Sequence, residues 1–453
     1  MKRVCILVPD GVGVKNYLYS PLFANQKATY QLYHDFGPET LALIKQHISL
    51  EQDWKLPSYS EGVWEKFLRE CIHRSRLVYN AKKVNNPTIL RFWKRGNRKL
   101  KNRIFYGVVV AMSRMIGSYS QILTLEKWYQ KSLDNNPFYK KALAQLKKQR
   151  PDVLFCTHQR ALKVPALFRA AKALGIPTVT VIYSWDNIPK ARLAPKADRY
   201  FVWSQHMAKE LQTFYPEIDK SKIVVTGTPQ FECYKDSENI IERATFLAHY
   251  GLDPRKKIVC FSGDDVKTSP NDPQYLYDLA KALSESNMAD EVQIAFRRCP
   301  VDLSGRYDKV LASFPELIRS VDPLWRTTKE GWDAVYPLLE DVQLLVSLAF
   351  YADVVINVGS TMAFDFGMFD KPAIYINYDQ DLGEDWSVET IYKYQHFRSM
   401  PDATSVYWLN ERTTIAEVVQ SALEGGGSKI KPWFQVITAP GMASEVILEN
   451  LIV

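Results

Sequence analysis

Between Asp353 and Tyr378 the chain reads Asp-Val-Val-Ile-Asn-Val-Gly-Ser-Thr-Met-Ala-Phe-Asp-Phe-Gly-Met-Phe-Asp-Lys-Pro-Ala-Ile-Tyr-Ile-Asn-Tyr. Its Gly359-Ser360-Thr361 turn is the part suited to chemistry. Val354 to Val358 is a short apolar, β-branched run of the kind found in parallel strands covered on both faces. Gly359 breaks the run, and Ser360 or Thr361 can cap a helix in which Ala363, Phe364, Gly367 and Met368 recur at helical spacing. A second apolar run, Ala373 to Ile376, completes a β-turn-α-β unit. That order places backbone N–H groups and a positive helix end at the carboxyl edge of a sheet, where open α/β folds bind phosphorylated ligands. An ordinary capped βαβ unit reads the same way, so the neighbouring segments decide.

A second glycine turn, Asp10-Gly11-Val12-Gly13-Val14-Lys15-Asn16, follows the first predicted strand, Val4 to Val8, and precedes a predicted helix over Tyr17 to Asn25. It lacks the third glycine of a dinucleotide fingerprint, but Asp10, Gly11, Gly13 and Asn16 are placed for a close backbone approach to an acceptor. His158 and Asp186 each stand just past a predicted strand, Asp152 to Thr157 and Thr178 to Tyr183. Gly263 likewise follows the strand Lys257 to Ser262.

These residues need a frame that brings strand ends together. From Pro151 onward strands and helices alternate, as in a doubly wound sheet, and the alternation restarts at Lys257 after the polar segment Asp236-Ser237-Glu238-Asn239. The expected fold is therefore α/β: two Rossmann-like domains, residues 1–235 and 236–453, facing each other across a cleft between the carboxyl ends of their sheets. A helical, basic insertion is expected over about residues 50–148 of the first domain.

Charge is uneven. The net charge is +8, yet twelve Lys or Arg (Arg74, Arg76, Lys82, Lys83, Arg91, Lys94, Arg95, Arg98, Lys99, Lys101, Arg103, Arg114) and no acid stand between Glu70 and Glu126, so the remainder is slightly acidic. Interleaved Phe92, Trp93, Ile104, Phe105 and Tyr106 suit an anionic membrane surface or a polyanionic acceptor, and a solvated basic face is the plainer alternative. No stretch offers about 18 apolar residues to span a bilayer. The N-terminus has too short an apolar core for a secretory signal. The six scattered cysteines read as reduced thiols, so a cytoplasmic protein, peripheral at the inner face of the plasma membrane, is expected.

Several stretches together resemble the two-domain glycosyltransferases of the B fold (GT-B). They are Tyr183-Ser184-Trp185-Asp186-Asn187, Phe201-Val202-Trp203-Ser204, Val224-Val225-Thr226-Gly227-Thr228-Pro229-Gln230-Phe231, Phe296-Arg297-Arg298-Cys299-Pro300 and Val358-Gly359-Ser360-Thr361-Met362-Ala363-Phe364-Asp365. The resemblance covers residues 150 to 400 and extends to capsule and lipopolysaccharide sugar transferases, CDP-glycerol glycerophosphotransferases and UDP-N-acetylglucosamine 2-epimerases. It implies that Arg297 or Arg298 with Gly359, Ser360 and Thr361 hold the donor diphosphate beside Gly263, that Asp365 reaches the ribose or sugar, and that His396 touches the donor. Cys299 stands where relatives commonly have His, and Asp365 where they have Glu.

The function implied is metal-independent transfer of a sugar from a nucleotide-sugar to a cell-surface polysaccharide or lipid-linked glycan, with no cofactor beyond that co-substrate. A helix start and arginines can stabilise the leaving diphosphate. His158 or Asp186 would serve as the base if the reaction inverts the anomeric centre. The alternatives are a glycerol- or ribitol-phosphate transferase, a nucleotide-sugar 2-epimerase, and a basic nucleic-acid-binding or scaffold protein, although no nucleic-acid partner is expected.

Overall fold

The computed structural model describes residues 1–24, 27–94, 99–193, 196–286, 288–327, 335–381 and 386–452. The chain forms two compact units. Unit 1 comprises Met1–Pro229, Tyr394–His396 and Ile437–Val453, and unit 2 comprises Gln230–Lys393 and Phe397–Val436. The division falls six residues before the boundary expected from the polar segment at 236–239. The terminal helix Ala443–Ile452 also groups with unit 1, where sequence had assigned it to the second domain. Its buried Ile447, Leu448 and Leu451 and the bond from Ala439 N–H to Trp203 O explain that placement.

Unit 1 holds a seven-stranded parallel sheet. Its strands are β1 (Arg3–Val8), β2 (Thr29–His34), β3 (Leu50–Lys55), β4 (Val153–Cys156), β5 (Thr178–Val181), β6 (Arg199–Val202) and β7 (Ile223–Val225), in the order β3-β2-β1-β4-β5-β6-β7. The sequence reading located neither β2 nor β3. The β3 strand carries charged residues on partly exposed positions, as a sheet edge permits. The central strands β1, β4 and β5 are buried along almost their whole length, as helices on both faces require.

Between β3 and β4 the chain is helical, with Val63–Lys83, Leu100–Met115, Tyr119–Ser132 and Pro137–Gln149 as its main helices. Ser118 caps the third of these, its Oγ accepting from Gln121 N–H while the Gln121 side chain accepts from the Ser118 N–H.

Unit 2 holds a six-stranded parallel sheet of β8 (Lys257–Ser262), β9 (Val292–Arg297), β10 (Ile318–Ser320), β13 (Val354–Asn357), β14 (Ala373–Ile376) and β15 (Tyr407–Leu409). Its order is β10-β9-β8-β13-β14-β15. An antiparallel pair, β11 (Trp325–Thr327) and β12 (Val335–Pro337), lies outside that sheet. Each sheet reverses its winding once, between β1 and β4 in unit 1 and between β8 and β13 in unit 2. Strands that flank such a reversal send their following loops apart and leave a crevice at their carboxyl ends.

Candidate functional site

In unit 1 the reversal point carries Asp10 after β1 and His158 after β4, with β1 and β4 paired in register from Val4 beside Val153 to Leu7 beside Cys156. The loop after β1 is not the expected helix. It is a 3-10 turn, Gly11–Gly13, followed by a π-helical turn, Val14–Leu18, and another 3-10 turn, Pro21–Phe23; Asn25 lies outside the described residues. Asp10 Oδ1 accepts the Val12 N–H at 3.1 Å and closes the first turn. Gly13 is required by the protein's own packing, because a Cβ there would lie 2.5 Å from Thr157 Cβ. Gly11 and Asn16 are buried.

This wrapping brings Asp10 Oδ2 to 2.7 Å from Nδ1 of His158. A carboxylate can only accept, so Nδ1 carries the proton and Nε2 is the basic nitrogen. The Tyr183 ring stands edge-on to the imidazole at 5.9 Å between centroids. Gln159 ties the loop after β4 to the loop after β5, its Nε2 donating to Asn187 Oδ1 at 3.0 Å and its Oε1 accepting the Tyr183 N–H at 3.1 Å. No motif marks Gln159, and sequence reasoning passed over it.

Asp186 is differently placed. It is ion-paired with Lys190, accepts from the Asn187 amide at 2.7 Å, and lies near His396. Burial would raise its pKa, but Lys190, His396 and hydrogen bonds from Lys190 and Ser184 outweigh that and hold it well below the usual carboxylate range. A carboxylate so firmly ionised and partnered is a counter-ion, and a weak general base.

His396 groups with unit 1, its ring 4.7 Å from that of Trp185 and nearly perpendicular to it. Burial lowers its pKa to about 4 against the attraction of Asp186, so the imidazole is neutral near pH 7. Nearby Glu210, which no motif announced, is buried and raised from 4.5 to about 8; burial is the main cause, opposed by Gln395 and reinforced by Asp186.

In unit 2 the reversal point lies between Gly263, after β8, and Gly359-Ser360-Thr361, after β13, while Arg298 follows the adjoining β9. Gly359 has φ +65, and a Cβ there would lie 2.8 Å from the Phe397 ring, so both backbone and space demand glycine. Asn357 Oδ1 accepts the Ser360 N–H at 2.8 Å, and Ser360 Oγ lies 3.4 Å from Met362 N, the donor. Thr361 stands at the helix start with helical backbone and makes no side-chain cap, and the helix itself, Met362–Gly367, is short. Gly263 is needed because a Cβ would meet Tyr307 Oη at 2.6 Å.

Two donor candidates are engaged within the fold. The Arg297 Nη2 donates to both Asp341 carboxylate oxygens at 2.8 and 3.0 Å, in a buried pair whose acid also accepts from Leu324 N–H and Trp325 Nε1–H. Asp365 is buried and accepts from Tyr234 Oη at 2.9 Å. Burying either charge demanded a fixed partner, and each has one. Arg298 differs: its guanidinium is partly exposed and pairs with the half-exposed Asp322 at 2.7 Å. Of the pair offered by sequence, Arg298 is the more exposed, while buried Arg297 keeps an Nη1 without a hydrogen-bond partner.

The basic segment is also sorted by the fold. Arg76 is buried, bonded through Nε to Glu126 at 3.0 Å and through Nη2 to Glu217 at 2.8 Å, and so belongs to no surface. Arg74 lies 4.8 Å over the Trp93 ring. Arg95 and Arg98 lie outside the described residues. The helix Leu100–Met115 exposes Leu100, Ile104, Val108, Met112 and Met115 as one stripe, with Lys99, Lys101, Arg103 and Arg114 around it. Among the described residues no helix is long and apolar enough to cross a membrane.

The family model of monogalactosyldiacylglycerol (MGDG) synthase matches residues 83–229, all within unit 1. No curated protein matches the chain. Among solved structures, UDP-GlcNAc 2-epimerase from Methanocaldococcus jannaschii is 12% identical, covers 99% of each chain and superposes with a TM-score of 0.55. Staphylococcus aureus MnaA, solved with UDP, is 11% identical over 99% of this chain and 96% of its own, with a TM-score of 0.54. A glycosyltransferase from Rickettsia africae is 12% identical over 100% and 97%, with a TM-score of 0.52. At such identities the structures establish the fold, and with the family match they support a glycosyltransferase. Two parallel α/β sheets, each with a loop-bearing reversal point, place the chain in the GT-B fold shared by glycosyltransferases and UDP-GlcNAc 2-epimerases.

Proposed function

We propose that the protein transfers a sugar from a nucleoside-diphosphate donor to the hydroxyl of a lipid-linked glycan or surface polysaccharide, without a metal ion. The observation that carries this reading is the Asp10–His158 pair at the reversal point of unit 1. His158 Nε2 takes the acceptor proton as the hydroxyl oxygen bonds to the anomeric carbon. Asp10 accepts the Nδ1 hydrogen bond throughout and stabilises the imidazolium that forms. A base so placed suits a single displacement that inverts the anomeric centre.

In unit 2 the electron pair of the breaking bond passes to the diphosphate. Its charge is offset by Arg298 and by the Ser360 and Thr361 hydroxyls of the turn after β13. The UDP held by the structural neighbour MnaA favours a uridine donor. The MGDG synthase match over residues 83–229 favours a lipid acceptor, and the exposed stripe of Leu100–Met115 with its cations would rest on an anionic inner leaflet.

The test is release of nucleotide from UDP-, GDP-, CMP-, CDP- and dTDP-sugars by purified protein with acceptor lipid extract, preceded by a thermal-shift screen of the same donors. A donor that raises the melting temperature and releases its nucleotide only with acceptor, the sugar passing to the acceptor, supports transfer. A UDP-GlcNAc 2-epimerase, favoured by the whole-length match to the M. jannaschii enzyme, would instead turn over its sugar nucleotide with no acceptor present.

A further inference from the structure

A cleft opens in unit 1 between the helices Val63–Lys83 and Tyr119–Ser132 and the segments that follow β4 and β5. Its walls include Ile72, Leu162 and Pro165, and its polar lining includes Arg69, Arg160 and Arg192. Arg69 is held by Glu61 and Glu70 at 2.6 and 2.9 Å. Arg160 and Arg192 make no hydrogen bond or ion pair with any described residue, and the buried Arg160 Nε has no partner.

Burial lowers both guanidinium groups, opposed in part by Asp186 at Arg160 and by Glu70 and Glu61 at Arg192, and repulsion from Arg160 and Arg69 helps push Arg192 down to about 10. Arg192 also follows Ala191, held at φ +53, a left-handed conformation that costs a non-glycine residue free energy. Two desolvated cations side by side are expensive unless an anion joins them. Planar guanidinium donors match phosphate oxygens, and the aliphatic wall offers nothing to a bare, fully hydrated ion.

We propose that this cleft binds a phosphate ester, its phosphate accepting from Arg160 and Arg192 and its apolar substituent lying along Ile72, Leu162 and Pro165. Its role as the anionic part of the sugar acceptor rests on the transferase reading; the binding does not.

Titration calorimetry of the full chain with octyl phosphate, inorganic phosphate, octanoate and octanol tests it. Octyl phosphate should bind and octanol should not, and Arg160→Gln and Arg192→Gln should each weaken binding about tenfold or more, with the surface control Arg255→Gln unchanged. Tighter binding of octyl phosphate than of inorganic phosphate supports the ester, and equal binding of the two overturns it in favour of a free-phosphate site. Absence of binding by both phosphates, equal binding of octanoate, or unchanged affinity in the Arg160→Gln/Arg192→Gln double variant overturns the proposal. Should the variants unfold, phenylglyoxal labelling of the wild type decides: octyl phosphate should protect Arg192, and an unprotected Arg192 overturns it. Intact octyl phosphate binding without any sugar transfer would count against the transferase reading alone.

Discussion

Asp10 and His158 are 148 residues apart in the chain and 2.7 Å apart in space, carboxylate Oδ2 to imidazole Nδ1. Parallel pairing of β1 with β4 delivers both to one sheet edge, and the Gly13–Thr157 contact closes the turn that aims Asp10. Replacing His158 with Ala should lower kcat about 10²- to 10⁴-fold, the range of a lost general base, with donor KM little changed. Asp10→Asn should leave the donor affinity intact and lower kcat by less. Full activity in His158→Ala would remove the base from the mechanism.

The two neighbouring arginines after β9 should separate cleanly. Asp341→Ala leaves the buried Arg297 cation without its partner and should cost about 3–5 kcal/mol, read as a lower denaturant midpoint. Arg298→Gln, at a partly exposed pair, should hardly move that midpoint yet raise the KM for the nucleotide donor. Unaltered donor KM in a folded Arg298→Gln protein would count against its contact with the diphosphate.

Glu210 makes stability depend on pH in a defined direction. Its carboxyl is raised from 4.5 to about 8, so the folded chain retains a proton that the unfolded chain releases. The stabilisation is complete below pH 4.5 and is lost as pH rises through about 8. Glu210→Gln, which cannot ionise, should therefore melt higher than wild type at pH 8 and lose that advantage toward pH 4.5. Thermal melts showing the opposite trend would place Glu210 in a hydrated or well-paired setting.

The stripe on Leu100–Met115 predicts where the protein meets lipid. Ile104→Glu with Val108→Glu changes two exposed positions, so the melting temperature should stay within a few degrees while flotation with phosphatidylglycerol vesicles is lost. Salt should weaken the wild-type association, because part of it is Coulombic. Equal flotation of the double variant would assign the membrane contact elsewhere.

Local pattern determined much of this protein. Apolar β-branched runs such as Val354–Asn357 and Val292–Arg297 announce buried parallel strands, because strands covered on both faces have no polar alternation to disguise them. The glycine at 359 was legible for a related reason: a turn at φ +65 excludes other residues. Tertiary structure decided which charges are at work. Arg297 and Arg298 are adjacent and identical in type, yet one strand position turns inward to Asp341 and the next outward to Asp322. The Asp10–His158 pair, the placement of His396 beside Trp185, and the unpaired arginines of the unit 1 cleft are long-range juxtapositions. Residue type and spacing cannot reveal them, since they arise only when sheet order brings distant loops to the same edge.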